Sequence, residues 1–226
     1  MIYFATSNEG KVREAREYLD GIAPVESVAY DYTEIQHDDL AEIAATGARE
    51  AWKALGGGQG VERAVADPAA GVEFGDDETD SARGDVPPRD GGGEPTDPVP
   101  DEGVLVGDSG LFVEALDGFP GPYSAYVERT LGIEAIPRLL TAEDSPRAYF
   151  RTVLAYADGR DLETFTGSVA GRIVEPRGDR GFGYDPIFEY NGLTMAEMTT
   201  AEKNAISHRG RALEKFAEWY DRRTDE

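Results

Sequence analysis

RAYFRTVLAYADGRDLETFTGSVAGRIVE, residues 147–175, decides the fold of this chain. Apolar and polar residues alternate along 147–157 and again along 161–175, the period of strands with one covered face. Asp158-Gly159 between them is a tight-turn dipeptide, so the two runs read as an antiparallel pair. Working outward, IYFAT (2–6) reads as a buried strand, and Ser7 and Asn8 cap a helix over 10–19 with Val12, Ala15, Tyr18 and Leu19 on its apolar side. A second helix covers 38–55. VLVG (104–107) and LFVEAL (111–116) read as two strands flanking a tight DSG turn. YSAYVERTL and IEAIPRLL read as short helices, and 204–222 as one amphipathic helix. The pattern is α/β, but the long antiparallel pair makes the sheet mixed, not evenly doubly wound.

With 226 residues, 40% of them hydrophobic, the chain can bury a substantial core. It reads as a single domain, 1–226, interrupted by 57–102. That stretch holds nine Gly, six Pro, 13 acidic and 3 basic residues. Such a composition cannot bury enough surface to offset its ordering entropy, so a disordered insertion is expected there. The absence of cysteine excludes disulfides, zinc-thiolate sites and thiol catalysis. No apolar run approaches the roughly 20 residues of a membrane span. Met1 leads directly into a strand, so a soluble cytoplasmic protein with no membrane partner is expected.

The formal charge is −23, and the 57–102 stretch accounts for only −10 of it. Such a field opposes attraction to nucleic acid, so no nucleic-acid partner is expected. The lysines are Lys11, Lys53, Lys203 and Lys215 alone. A lysine-poor, acidic surface is the composition that solubility in high salt favours, and a halophilic protein is expected.

Four stretches could carry chemistry. Thr6-Ser7-Asn8-Glu9-Gly10-Lys11 runs from a strand end into a helix start, where N–H groups, the helix dipole and the Lys11 ammonium suit an anion. It lacks P-loop spacing, and a plain N-cap with a surface lysine reads as well. Gly107-Asp108-Ser109-Gly110 places a carboxylate where it could hold a hard cation or take a proton from water, or could simply turn the chain. Glu34 is a candidate second carboxylate, or an ordinary solvated one. Gly181-Phe182-Gly183-Tyr184-Asp185-Pro186 could present an aromatic face to a base, or pack on the core. Lys203, His208 and Arg209 cluster donors near the last helix, where structural roles read equally well. Their conjunction meets the needs of a nucleoside triphosphate, and two of the four lysines fall inside these stretches.

With these residues in view, the chain resembles the inosine triphosphate pyrophosphatase family of archaeal type, the XTP/dITP diphosphatases acting on non-standard purine triphosphates. The resemblance rests on TSNEGKVRE (6–14), TEIQ (33–36), GDSGLFVEALDGFPGPYSAYV (107–127), GFGYDPIF (181–188) and MAEMTTAEKNAISHRGRAL (195–213), and it covers the chain outside 57–102. It implies a long mixed sheet between two α/β lobes with the active site in the cleft, a homodimer, and Mg²⁺ as cofactor. It also implies that Thr6, Ser7, Asn8, Glu9, Gly10 and Lys11 hold the phosphates. Glu34 and Asp108 would bind the metal, with Asp108 as proton acceptor and Ser109 beside it. Phe182, Gly183, Tyr184, Asp185, Lys203, His208 and Arg209 would hold the base. The family usually carries an acidic residue where this chain has Gly107, so one expected carboxylate is missing from the metal environment.

The activity implied is hydrolysis of ITP, dITP and XTP to monophosphate and pyrophosphate, cleansing the nucleotide pool. Two other readings share parts of the pattern. A Maf-type pyrophosphatase of modified pyrimidine triphosphates would share the chemistry, but Ser207-His208-Arg209 argues against it. A nucleotide-binding regulator without catalysis would keep Phe182 and Lys203 while tolerating Gly107.

Overall fold

A computed structural model of the chain describes residues 1–30, 35–56, 102–141 and 145–224. The expected metal residue Glu34 and the expected disorder of 57–101 therefore lie outside the described residues. The chain forms strands β1 (Ile2–Ala5), β2 (Val25–Val28), β3 (Gly103–Val113), β4 (Pro120–Gly121), β5 (Arg147–Ala157), β6 (Leu162–Ile173), β7 (Phe188–Tyr190) and β8 (Leu193–Thr194). Its helices are α1 (Glu9–Tyr18), α2 (Leu40–Ala54), α3 (Ser124–Leu131), α4 (Ala135–Leu139), α5 (Thr200–Ala205) and α6 (His208–Thr224).

One mixed sheet runs in the order β2-β1-β3-β5-β6-β7-β8, with β4 on β3. Pairings β1–β2 and β1–β3 are parallel, and all others are antiparallel. The alternating runs form the expected antiparallel pair. Asp158 closes their turn by accepting from the Arg160 and Asp161 N–H groups at 3.0 and 2.9 Å. It also pairs with Arg223 of α6, which ties the hairpin to the last helix.

The expected DSG turn is absent. Residues 103–113 form one continuous strand, paired with β5 from Val104↔Ala157 to Val113↔Ala148, and Leu116 falls in a 3₁₀ turn beyond it. The two glycines of GDSG serve close approach. A Cβ on Gly110 would collide with the Gly121 carbonyl of β4, and one on Gly107 would lie 2.9 Å from Leu154 Cδ2. The long final helix is likewise corrected to two. Thr199 and Glu202 form a capping box that starts α5, and α6 begins anew after Ser207, whose Oγ accepts from the Gly210 N–H at 3.0 Å.

Strand alternation divides the core by face. On one face Leu105, Leu154 and Tyr156 pack with Val12 and Ala15 of α1 and with Leu213 and Phe216 of α6. Further along the same face Leu111, Val113, Ala148 and Val169 pack with Val127 of α3, Ile136 of α4 and Phe188. Between these two clusters the same face carries the facing pair Ser109 and Thr152, and this polar break marks the cleft between two lobes. The opposite face, carrying Val104, Val106, Val153 and Ala155, is covered by α2 through Leu40, Ala44 and Ala48.

Candidate active site

The cleft opens beside a gap in the sheet. β1 pairs with β3 only over Gly103–Leu105, and β4 only over Leu111–Phe112. Among the described residues, the β3 edge between these pairings has no strand neighbour on that side. Lys11, in the first turn of α1, reaches the gap and donates from Nζ to the Gly107 carbonyl at 3.1 Å. Asn8 sets that turn: its Oδ1 accepts from the Lys11 N–H at 3.2 Å, while its own N–H donates to Thr6 Oγ1 at 3.2 Å. Ser7, Asn8 and Glu9 are exposed at the start of the helix, whose dipole favours an anion there.

Asp108 and Ser109 alternate to opposite faces of β3. The Asp108 carboxylate turns back to accept from the Ser109 N–H at 2.8 Å. That contact holds it at the strand edge, next to the carbonyl taken by Lys11. Ser109 Oγ instead lies 2.7 Å from Thr152 Oγ1, its cross-strand partner. Thus the Lys11 ammonium and the Asp108 carboxylate each bond to the β3 backbone, at Gly107 and at Ser109, while the Ser109 hydroxyl is engaged with Thr152.

The third stretch splits by role. Phe182 is 69% exposed and offers a ring face. Tyr184 is buried in the second lobe and donates from its hydroxyl to the Ser124 carbonyl at 2.8 Å, so its side chain is part of the core and presents no face to a ligand. Asp185 is also buried. It accepts from the Phe182 N–H at 2.9 Å and pairs with Lys203, whose ammonium sits 4.6 Å from the Phe182 ring centroid. The carboxylate thus fixes both the platform and the cation above it.

His208 and Arg209 open α6 on the cleft floor. The α6 backbone can lie this close because Gly167 of β6 has no side chain: a Cβ there would collide with the His208 carbonyl. The imidazole stacks on Phe150, with centroids 5.2 Å apart and planes at 13°. Burial, and then the charges of Arg209, Lys203, Lys11 and Arg211, push its pKa down to about 3, so the ring is neutral at physiological pH. Its Nδ1 and the Nε of Arg209 are buried without hydrogen-bond partners among the described residues. Unsatisfied buried polar atoms are costly, and both lie at the start of α6, the stretch singled out as a candidate ligand site.

Sequence reasoning missed Thr152 and Glu14. Thr152 is visible only through strand register. Glu14 follows Lys11 by three positions, a spacing that puts both on one face of α1. Its carboxylate accepts from Ser207 Oγ at 3.0 Å and pairs with Arg209 NH1 at 3.2 Å.

The sequence profile of the Ham1 family matches residues 2–70 and 94–219. The chain belongs to the Ham1 family. It is similar to the dITP/XTP pyrophosphatase of Thermococcus kodakarensis, 44% identical over 220 residues, 96% of this chain and 95% of that one. The same-named protein of Methanopyrus kandleri is 44% identical over 226 residues, covering 97% and 95%. Among solved structures, a HAM1 protein from Coxiella burnetii superposes with a TM-score of 0.69 at 26% identity, covering 100% of this chain and 98% of that one. A nucleoside-triphosphatase / dITP/XTP pyrophosphatase from Mycobacterium abscessus gives 0.63 at 26%, with coverage of 95% and 96%.

Proposed function

We propose that this chain hydrolyses non-standard purine nucleoside triphosphates, ITP, dITP and XTP, to the monophosphate and pyrophosphate. The observation that carries the reading is the placement of four cations, Lys11, Lys203, Arg209 and Arg211, near neutral His208, two of them balanced by Asp185 and Glu14, in a protein of charge −23. Such a placement suits a polyanion, and the exposed Phe182 ring beside it suits a planar base. The relatives' names supply the substrate class.

Mg²⁺ is proposed as the cofactor. Among the described residues no group of three or more His, Cys, Asp or Glu gathers for a metal. Mg²⁺ commonly takes one or two carboxylates and completes its shell with substrate phosphates and water, which fits a single carboxylate such as Asp108; Glu34, outside the described residues, is the second ligand that the family resemblance implies. When bound, it would neutralise the triphosphate and polarise its phosphoryl oxygens. Asp108 orients a water and takes its proton as the water oxygen bonds to the α-phosphorus. The bond from that phosphorus to the bridging oxygen breaks, and pyrophosphate leaves with Lys11 balancing its charge. The Asn8 turn and the start of α1 hold the phosphates, and Phe182 stacks on the base.

Lys203 and Arg209 donate to a 6-oxo group. Adenine offers a 6-amino group instead and leaves a donor unpaired, a loss of about 1–3 kcal/mol. The same proposal includes a homodimer, supported by the exposed Tyr126 and Leu131 of α3, and a cytoplasmic location. Among the described residues no helix is long and apolar enough to cross a membrane.

Pyrophosphate release measured with Mg²⁺ across ITP, XTP, dITP, GTP and ATP tests the assignment. Release from the first three in preference to ATP is expected. Binding of ITP without release would leave a nucleotide-binding regulator, and preference for modified pyrimidine triphosphates would favour the Maf-type activity.

A further inference from the structure

We infer that Glu14 is a positioning residue for base selection, acting through Arg209; this rests on the reading of Arg209 as a base-binding donor. Lys11, Glu14 and Tyr18 share one face of α1. At one end of that face, Lys11 touches the β3 gap where the phosphates are placed. At the other, Tyr18 packs on Gly210, whose Cβ would lie 2.5 Å from the Tyr18 hydroxyl oxygen. Glu14 lies between them and spans to the second helix with both oxygens. Oε1 accepts from Ser207 Oγ at 3.0 Å, and Oε2 pairs with Arg209 NH1 at 3.2 Å. Ser207 in turn caps α6 through the Gly210 N–H.

The ion pair is shielded, with side-chain exposures of 17% for Glu14 and 16% for Arg209. A shielded pair is screened less than a surface one and holds its geometry. The guanidinium is planar, so fixing NH1 against Glu14 fixes the direction of its other donors. One of these, Nε, is the donor that is buried without a partner among the described residues. Glu14 therefore sets where Arg209 can donate while touching no substrate itself. It also makes the phosphate-binding helix the reference from which the base-reading arginine is aligned.

The test compares Glu14→Gln, Arg209→Gln and the double variant with the wild type, using kcat/KM for ITP and ATP and the inhibition constants of inosine and inorganic tripolyphosphate. Glu14→Gln keeps an acceptor for Ser207 but loses the charge. The ITP-to-ATP preference should fall by about five- to tenfold, mostly in KM, and inosine should bind correspondingly more weakly. Tripolyphosphate inhibition should be unchanged. In the double variant the preference should equal that of Arg209→Gln alone, because the two act as a unit. A unit-wide loss that includes tripolyphosphate, an unchanged preference, or additive effects would each overturn the inference. Should Glu14→Gln fail to fold, Glu14→Asp, which retains the charge on a shorter arm, carries the same comparison. A wild type that does not hydrolyse ITP would instead overturn the functional reading.

Discussion

Lys11 Nζ donates to the carbonyl oxygen of Gly107, 96 positions away, at 3.1 Å. The contact joins α1, the helix that follows β1, to the residue preceding Asp108, so the cation and the carboxylate sit on neighbouring backbone groups of β3. Replacing Lys11 by Met should keep the aliphatic packing and remove the charge. We expect kcat for ITP to fall by about 10- to 100-fold with little change in Tm, since one charge-stabilising donor is lost. Steady-state kinetics with parallel thermal melts will show it; full activity would place the leaving-group cation elsewhere.

Asp108→Asn removes the proton acceptor and the charged ligand while keeping the side-chain shape. Turnover should drop by about 100-fold or more, the scale of a general base, with the melt unchanged. Retention of most activity in Mg²⁺ would move the base to another residue.

The glycines of β3 differ in what surrounds them, and so should their alanine variants. Gly110→Ala drives a methyl into the Gly121 carbonyl, which belongs to backbone and cannot swing aside. A loss of about 1–3 kcal/mol is expected. Gly107→Ala meets the movable end of Leu154 and should cost less. Urea denaturation of both variants checks the order, and equal midpoints would refute it.

His208 gives the protein a pH signature. Its pKa is ordinary, near 6.5, in the unfolded chain and about 3 in the fold. Below pH 6.5 the unfolded state takes up a proton that the folded state refuses, so this residue makes stability fall as pH drops from 6.5 towards 3. His208→Gln removes that dependence. The stability difference between wild type and variant, followed by denaturant titration at several pH values, should shift against the wild type on acidification; a constant difference would mean the ring titrates normally.

With a charge of −23, self-repulsion opposes the compact state. At molar salt the Debye length is about 3 Å, so that repulsion is largely screened. Tm should rise from 0.1 M to molar KCl. ITP turnover should rise with it, although salt also weakens the pull of Lys11 on phosphate. A protein equally stable and more active in dilute buffer would end the halophilic expectation.

Periodicity made the long elements legible: α1, α2 and the β5–β6 pair lie within two residues of their sequence-based bounds. GDSG misled because Gly, Asp and Ser are turn formers locally, whereas here the glycines admit β4 and Leu154, neighbours far away in sequence. Thr199-x-x-Glu202 did carry a helix-start signature, but the apolar stripe running through Ile206 hid the break at Ser207. Strands of two to four residues such as β4, β7 and β8 have too few positions to show a period. Phe182, Lys203, His208 and Arg209 stand out in the sequence as candidates by residue type alone. That Tyr184 belongs to the core and that Asp185 positions Phe182 and Lys203 depends on burial, which no local pattern encodes.

The first lobe joins residues 2–25 to residues 212–220, stretches far apart in the sequence. Ile2, Phe4, Val12 and Ala15 share a core with Leu213, Phe216, Ala217 and Tyr220. During synthesis the first 20 residues leave the ribosome with nearly all of their hydrophobic partners, from Leu105 to Tyr220, still untranslated. The second lobe draws its core from residues 111–195 and can close earlier. The nascent chain must therefore carry β1 and α1 incompletely covered until residues 212–220 have been translated, and only then can the Asn8 turn and the start of α6 come into register.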